Sequence, residues 1–219
     1  MPAGLLSATE VATPKVQRLT PEAFTQSLQL GEGLEATLFS SEPEINSPTN
    51  IDIDERGRVW MGDVLNYRNH LGRRPAVDRI LILEDTTGDG RCNTTKVFYQ
   101  GPDIDSALGI CVLGDRIIVS CSPHAWVFTD ADGDDQPDSK IPLFKTPGRI
   151  QHDHVLHAFV FGPDGRLYFN HGNMSTGLAS ANGEILTDTT GRRLVNDGNP
   201  FRQGIAYRCN LDGSNLMVM

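Results

Sequence analysis

A strand, a tight turn closing on arginine and a second strand recur three times along this chain, and that recurrence constrains its architecture more than any other feature. Ile51-Asp52-Ile53-Asp54-Glu55-Arg56-Gly57-Arg58-Val59-Trp60-Met61 is the first copy, Ile110 to Val119 the second and Ala158 to Phe169 the third. The arginines fall at 58, 116 and 166, giving spacings of 58 (116 − 58) and 50 (166 − 116) residues. Each copy is followed by an apolar strand that ends in an acidic turn: Arg79 to Asp85, Ala125 to Asp130 and Ala206 to Asp212. Two hairpin-like halves make four strands, and a lone four-stranded sheet cannot cover both of its faces. A repeat of about 50 residues with four strands therefore implies sheets stacked on one another as the blades of a β-propeller. The expected blades lie near residues 50–105, 106–150 and 151–219. Closure takes at least about four blades, so the chain reads as part of a larger propeller, ending at Leu216-Met217-Val218-Met219 inside an apparent strand.

Composition agrees with an all-β class. The 22 glycines and 13 prolines are scattered singly through turn-like clusters and long amphipathic patterns are absent. The 38% apolar content of 219 residues is enough for a genuine core. A formal charge of −9 with no basic stripe argues against nucleic acid as a partner. No apolar run approaches the ~20 residues of a transmembrane helix, and the start carries no signal-peptide pattern. Residues 1–19 lack periodicity and read as a disordered leader. Residues 20–49 should hold a short helix from about Pro21 to Leu28, announced by Thr20-Pro21-Glu22, and then a strand in which Leu34, Ala36 and Leu38 alternate with polar positions. Cys92, Cys111, Cys121 and Cys209 form no CxxC or CxxCH, so neither a zinc knuckle nor a covalent haem site is written here. Cys111 and Cys121 flank a hairpin and could pair, but buried free thiols are the favoured expectation.

The stretch Gln151 to Asn173 joins the densest histidine cluster to the clearest hairpin. His152, His154 and His157 precede or enter the apolar run Ala158 to Phe161, which turns at Gly162-Pro163-Asp164-Gly165 into Leu167 to Phe169. A loop held by strands is where a scaffold carries catalytic groups, although loop histidines are equally often solvated or structural. Beyond the hairpin, Met174 to Arg202 is a long Gly-, Thr-, Asn- and Asp-rich insertion, and loops of this length are usually functional or mobile.

Two acidic turns offer oxygen ligands to a hard cation. Asp130, Asp132, Asp134 and Asp138 stand at positions one, three, five and nine of one loop, and Asp85 and Asp89 at positions one and five of another with the same layout. Calcium loops converge carboxylates in this way. Neither turn has the closing glutamate or flanking helices of an EF-hand, and Asp side chains also cap the amides of their own turns.

The set TPEAFTQSLQLGEGLEATLFSSEPEI, GRVWMGD with NYRNH, DRILILEDTTGDG, DSALGICVLGDRIIVSCSPH, FTDADGDDQPD and HDHVLHAFVFGPDGRLYFNHGN, in this order, resembles the N-terminal propeller of the membrane-bound dehydrogenase family of planctomycetes and verrucomicrobia. The likeness spans about residues 20–219. It implies a six-bladed propeller related to the soluble quinoprotein glucose and sorbosone dehydrogenases, export to the periplasm or beyond, and often a C-terminal c-type haem domain. Against those quinoproteins the general-base histidine falls at His154, eight residues before Gly162. Beside it, His152 could orient the base and Arg149 could hold an anionic cofactor edge, with His171 and Asn173 as candidate cofactor-binding residues. Two departures stand out: Asn173 replaces an acid of those enzymes, and their glutamine is missing near Asp103 to Leu108.

Three readings follow. In the first, His154 takes the hydroxyl proton of a sugar or alcohol while hydride passes to pyrroloquinoline quinone, with calcium as a possible second cofactor. In the second, a non-catalytic propeller binds a glycan or a protein through the 174–202 loop. In the third, His152 and His154, with His124 or His171, hold a metal for hydrolysis.

Overall fold

The computed structural model describes residues 18–67, 75–148, 154–173, 176–195 and 204–219. It divides into two compact units, residues 1–38 and 39–219. The leader up to residue 17 lies outside the described residues.

In the first unit, helix α1 spans Pro21–Gln26. Thr20 caps it, its Oγ1 accepting the Ala23 N–H at 3.2 Å, with proline at the start, where no amide partner is needed. The alternation at Leu34 to Leu38 does not produce a strand. Leu34 is 68% exposed, and no strand of that unit stands beside it among the described residues. Alternation marks a surface suited to pairing but cannot supply the partner.

The second unit is all β: thirteen strands in three antiparallel sheets among the described residues. The first sheet is β1 (Pro48–Ile53), β2 (Val59–Asp63), β3 (Arg79–Glu84) and β4 (Thr94–Gln100), in that order. The second is β5 (Gly109–Leu113), β6 (Arg116–Cys121), β7 (His124–Thr129) and β8 (Ser139–Lys145). The third is β9 (Leu156–Phe161), β10 (Leu167–His171), β12 (Ile205–Cys209) and β13 (Met217–Val218). Each sheet is a meander, and their first strands stand side by side. The Ile110 and Val112 amides of β5 donate to Asn50 Oδ1 and Asp52 Oδ2 of β1, at 2.9 and 2.7 Å. Cys111 of β5 lies beside the Phe161 backbone of β9, and Gly109 lies against the Ala158 amide. These pairings ascend together, so β1, β5 and β9 run the same way. Sheets joined at their first strands and built outward are propeller blades.

Packing between blades explains why the strands read as unbroken apolar runs. Successive side chains point to opposite faces, and both faces of the second sheet are covered. Ile117 and Val119 pack with Trp60, Ile80, Ile82 and Phe98 of the first sheet. Ile118 joins Phe159, Leu167, Phe169 and Tyr207 of the third. Phe169 stacks against Phe144, Phe159 and Tyr207 with ring centroids 5.1, 4.8 and 5.0 Å away. Full burial of side chains of this size contributes roughly 1.5–3 kcal/mol each. Cys111 and Cys121 are buried free thiols on opposite faces of the second sheet, which rules out a bridge between them.

The repeated arginines open the second strand of each sheet, and two of them reach the next blade. Arg58 pairs with Asp135 in the β7–β8 turn, and Arg116 donates to the Leu211 carbonyl in the β12–β13 turn at 3.3 Å.

The described part of the long insertion is built into the fold. Its strand β11 (Ala179–Ser180) pairs with β8 and gives the second sheet a fifth strand, while Leu178 and Leu194 are buried in the core between the second and third sheets. Residues 176–195 thus cover the outer edge of one blade from a loop of the next, which removes an edge open to foreign strands.

Candidate functional site

Strand direction gives the propeller two ends of different chemistry. The starts of β1, β5 and β9 mark one end, with His154 just ahead of β9. The turns at 54–58, 85–93, 114–115, 130–138 and 162–166 mark the other. Among the described residues the histidines and the acidic turns therefore lie at opposite ends, and no single site takes ligands from both.

At the histidine end, His154 is exposed. Its backbone rests on β10: the Gly172 amide donates to the Val155 carbonyl at 2.9 Å, and a Cβ at 172 would meet the His154 Cα at 2.9 Å. His157 lies three residues on, half-buried and paired across the strands with Asn170. Burial, reinforced by the nearby His154, lowers its pKa. A bulge follows, with Ala158 at φ 47°, so that Leu156 and Phe159 both face the second blade. A non-glycine residue rarely takes this conformation, and here it re-aims β9 directly after the two histidines.

His171 stands apart from them although it ends the neighbouring strand. It is 4% exposed, lies edge-on to Tyr207 and shares a hydrogen bond with that hydroxyl, the ring nitrogens standing 3.2 and 3.3 Å away. Burial pushes its pKa down to about 4, so it is neutral at pH 7. Asn173 is exposed immediately beyond β10. His124 stacks on Trp126 at 4.5 Å. Arg149 and His152 lie outside the described residues; of the rest, the structure sets His154 near His157 at the entrance to β9, leaves Asn173 exposed just past β10 and encloses His171.

At the turn end, Asp130, Asp132 and Asp138 place one oxygen each within 4.8 Å of one another. Asp130 already caps its own turn: one oxygen accepts the Gly133 and Asp134 amides, the other the Asp135 amide. Asp138 accepts the Ala131 amide, and Asp134 the Gln136 amide. The other turn has the same habit. Desolvation opposes charge on Asp85, yet the Gly90, Gly88 and Thr87 amides together hold its carboxyl below the usual range. Asp89 accepts the Arg91 amide.

A buried charge network beside these turns went unread in the sequence. Arg58 donates Nε to Asp54 at 2.8 Å and Nη1 to Asp135 at 2.6 Å, Trp60 Nε1 donates to Asp54 at 2.9 Å, and Lys96 pairs with the second Asp135 oxygen. Asp135 falls within the acidic loop but at an even position of the alternating set, so the ligand pattern passed over it.

A family model described as "Domain of unknown function (DUF7133)" matches residues 20–199. No curated protein matches the sequence. Among solved structures, the holo form of the pyranose dehydrogenase PQQ domain from Coprinopsis cinerea is 19% identical, with a TM-score of 0.43, over 59% of this chain and 28% of that one. Two Trichoderma reesei structures of carbohydrate-active enzymes family AA12 also match. The iodide structure is 14% identical with a TM-score of 0.46 over 64% of this chain and 33% of that one. The calcium structure is 12% identical with a TM-score of 0.44 over 71% and 41%. The chain thus spans less than half the length of the solved structures it matches.

Proposed function

This chain belongs to the DUF7133 family, and from that premise we propose that it is the propeller portion of an exported oxidoreductase that takes hydride from the CH–OH group of a sugar or alcohol. The observation that carries the reading is the placement of His154: an exposed imidazole on a fixed backbone, at the start of the innermost strand, at the end away from the acidic turns. A base must be accessible to substrate and carried on a fixed support, and this residue is exposed on a backbone tied to β10. Kinship with the planctomycete and verrucomicrobial dehydrogenases is the finer form of the proposal, and a c-type haem domain is the electron acceptor it would bring.

Pyrroloquinoline quinone is a tricarboxylate and needs hydrogen-bond donors around it. Among the described residues His154 and Asn173 fit that need at the histidine end, whereas His171, enclosed and neutral, brings no positive charge. When bound, the quinone supplies a two-electron acceptor for the carbinol hydride. His154 accepts the hydroxyl proton at a ring nitrogen as the hydride leaves. Asn173 offers an amide to fix orientation, and buried His171 holds the end of β10 through Tyr207. Calcium, if bound at Asp130, Asp132 and Asp138, sits at the opposite end and is structural.

The test is reconstitution with pyrroloquinoline quinone and calcium, followed by dye reduction with aldoses and alcohols. Turnover that falls about 10²-fold in His154→Gln supports the reading. Binding of a glycan without dye reduction would transfer the case to a non-catalytic propeller.

A further inference from the structure

The backbone of His154 lies closer to Gly172 than a side chain there would permit. A Cβ at 172 would stand 2.8 Å from both the carbonyl carbon and oxygen of His154 and 2.9 Å from its Cα. Separations below 3.0 Å are not found for real Cβ atoms, and all three atoms are backbone, which cannot swing aside as a side-chain tip can. The Gly172 amide also donates to the Val155 carbonyl at 2.9 Å, so the same residue both leaves the space and ties the segment down. Gly204, on the far side of β10, provides the contrast: a Cβ there would meet the His171 carbonyl at 3.1 Å and nothing of His154.

We propose that Gly172 is the positioning residue of the His154 site, its missing side chain setting where the His154 backbone, and with it the base of the imidazole, is held against the end of β10. Its conformation is not the reason glycine is needed, because it is not among the residues of positive φ. The reason is close approach of two backbones. Any larger residue displaces the His154 Cα by several tenths of an ångström or more, and misplacement of a reacting group by about 1 Å can cost on the order of 10²-fold in rate. The inference rests on the reading of His154 as base for its catalytic consequence, but not for its structural content.

The experiment therefore has two readouts. In the unaltered protein, labelled for NMR, a Gly172 methylene proton should show a nuclear Overhauser contact to the His154 Hα; its absence overturns the proposal whatever any variant does. Gly172→Ala should then shift the His154 ring resonances, identified by their loss in His154→Gln, and lower kcat of the reconstituted protein by about 10-fold or more with KM less affected. Gly204→Ala should cost stability without moving those resonances. A folded Gly172→Ala that leaves the His154 ring unshifted sinks the idea. Should His154→Gln turn over normally, the base reading fails while the resonance shifts still decide the role of Gly172.

Discussion

Arg58 and Asp135, from the first and second blades, meet with Nη1 2.6 Å from Oδ1, and both side chains are less than 10% exposed. Asp54 holds the other side of the guanidinium and Lys96 the other oxygen of Asp135. Burial opposes ionisation of Asp135, but hydrogen bonds from Lys96 and Arg58 outweigh it and leave its carboxyl below the ordinary range. For Asp54, too, burial opposes ionisation, and the Trp60 hydrogen bond together with the hydrogen bonds and charge of Arg58 outweighs it and lowers the carboxyl. Asp135→Asn keeps the shape and tolerates the positive φ of 67° at this position, yet strips Arg58 of half its compensation. Removing one partner of a buried pair is costly, and we expect a loss of about 2–3 kcal/mol in urea unfolding. The acid limb checks the cause. Groups with depressed folded pKa values stabilise above their unfolded values, near 3.9, and lose that contribution as pH falls through the folded ones. The variant should therefore lose stability less steeply than the parent below about pH 4.

His171 gives a second pH signature, in a different window. Burial holds it at about 4, while a histidine in the unfolded chain titrates near 6.5. As pH falls, the unfolded state binds this proton first. The stability due to a neutral buried ring is complete above about 6.5 and is lost progressively toward 4. One proton of difference corresponds to a slope of about 1.4 kcal/mol per pH unit. Because Tyr207 would otherwise lose its partner, His171→Phe is best combined with Tyr207→Phe. That double variant should show a slope smaller by about one proton between pH 6.5 and 4, and an unchanged slope would place the charge elsewhere.

Calcium binding at the 130–138 turn would relieve repulsion among carboxylates and raise the melting temperature by mass action. Asp132 is the discriminating residue. Asp130 and Asp138 accept amides that hold the turn, so altering them confounds binding with folding, whereas Asp132 only shares the Asp134 amide with Asp130, at 3.3 Å. Asp132→Ala removes one exposed ligand of the converging three. We expect millimolar calcium to raise the parent's melting temperature and to shift this variant less. Equal shifts in both would leave the turn as a self-capped hairpin.

Much of the fold was legible because a blade buried on both faces forces apolar residues at consecutive positions, as at Ile117 and Ile118, and because each hairpin carries its own turn residues. What failed needed partners that local pattern does not encode. Leu34 to Leu38 alternate without a strand beside them, and Arg58 meets an aspartate 77 positions away. The strand of the insertion is two residues long among turn-forming residues, yet it closes the edge of β8. The burial of His171 could have been read: Leu167, Phe169 and His171 alternate along one strand and so share the core-facing side. The acidic turns displayed carboxylates but not how their lone pairs are already used.

His154 and His157 form the pair on which the functional reading can be separated from a structural one. His157 is lowered first by burial and then by the neighbouring His154. Removing that neighbour's charge leaves only the burial contribution, so His154→Gln should raise the NMR titration midpoint of His157, by less than its total depression. The substitution should leave the unfolding midpoint nearly unchanged, since exposed side chains away from buried networks change stability by about 0.5 kcal/mol or less. His157→Ala should do the reverse: it removes a half-buried ring next to the bulge at Ala158, lowers the melting temperature, and spares turnover of the reconstituted protein more than His154→Gln does. If instead His157→Ala abolishes turnover in a fully folded protein while His154→Gln is tolerated, the proton acceptor is His157, and the base lies within β9 and not at its entrance.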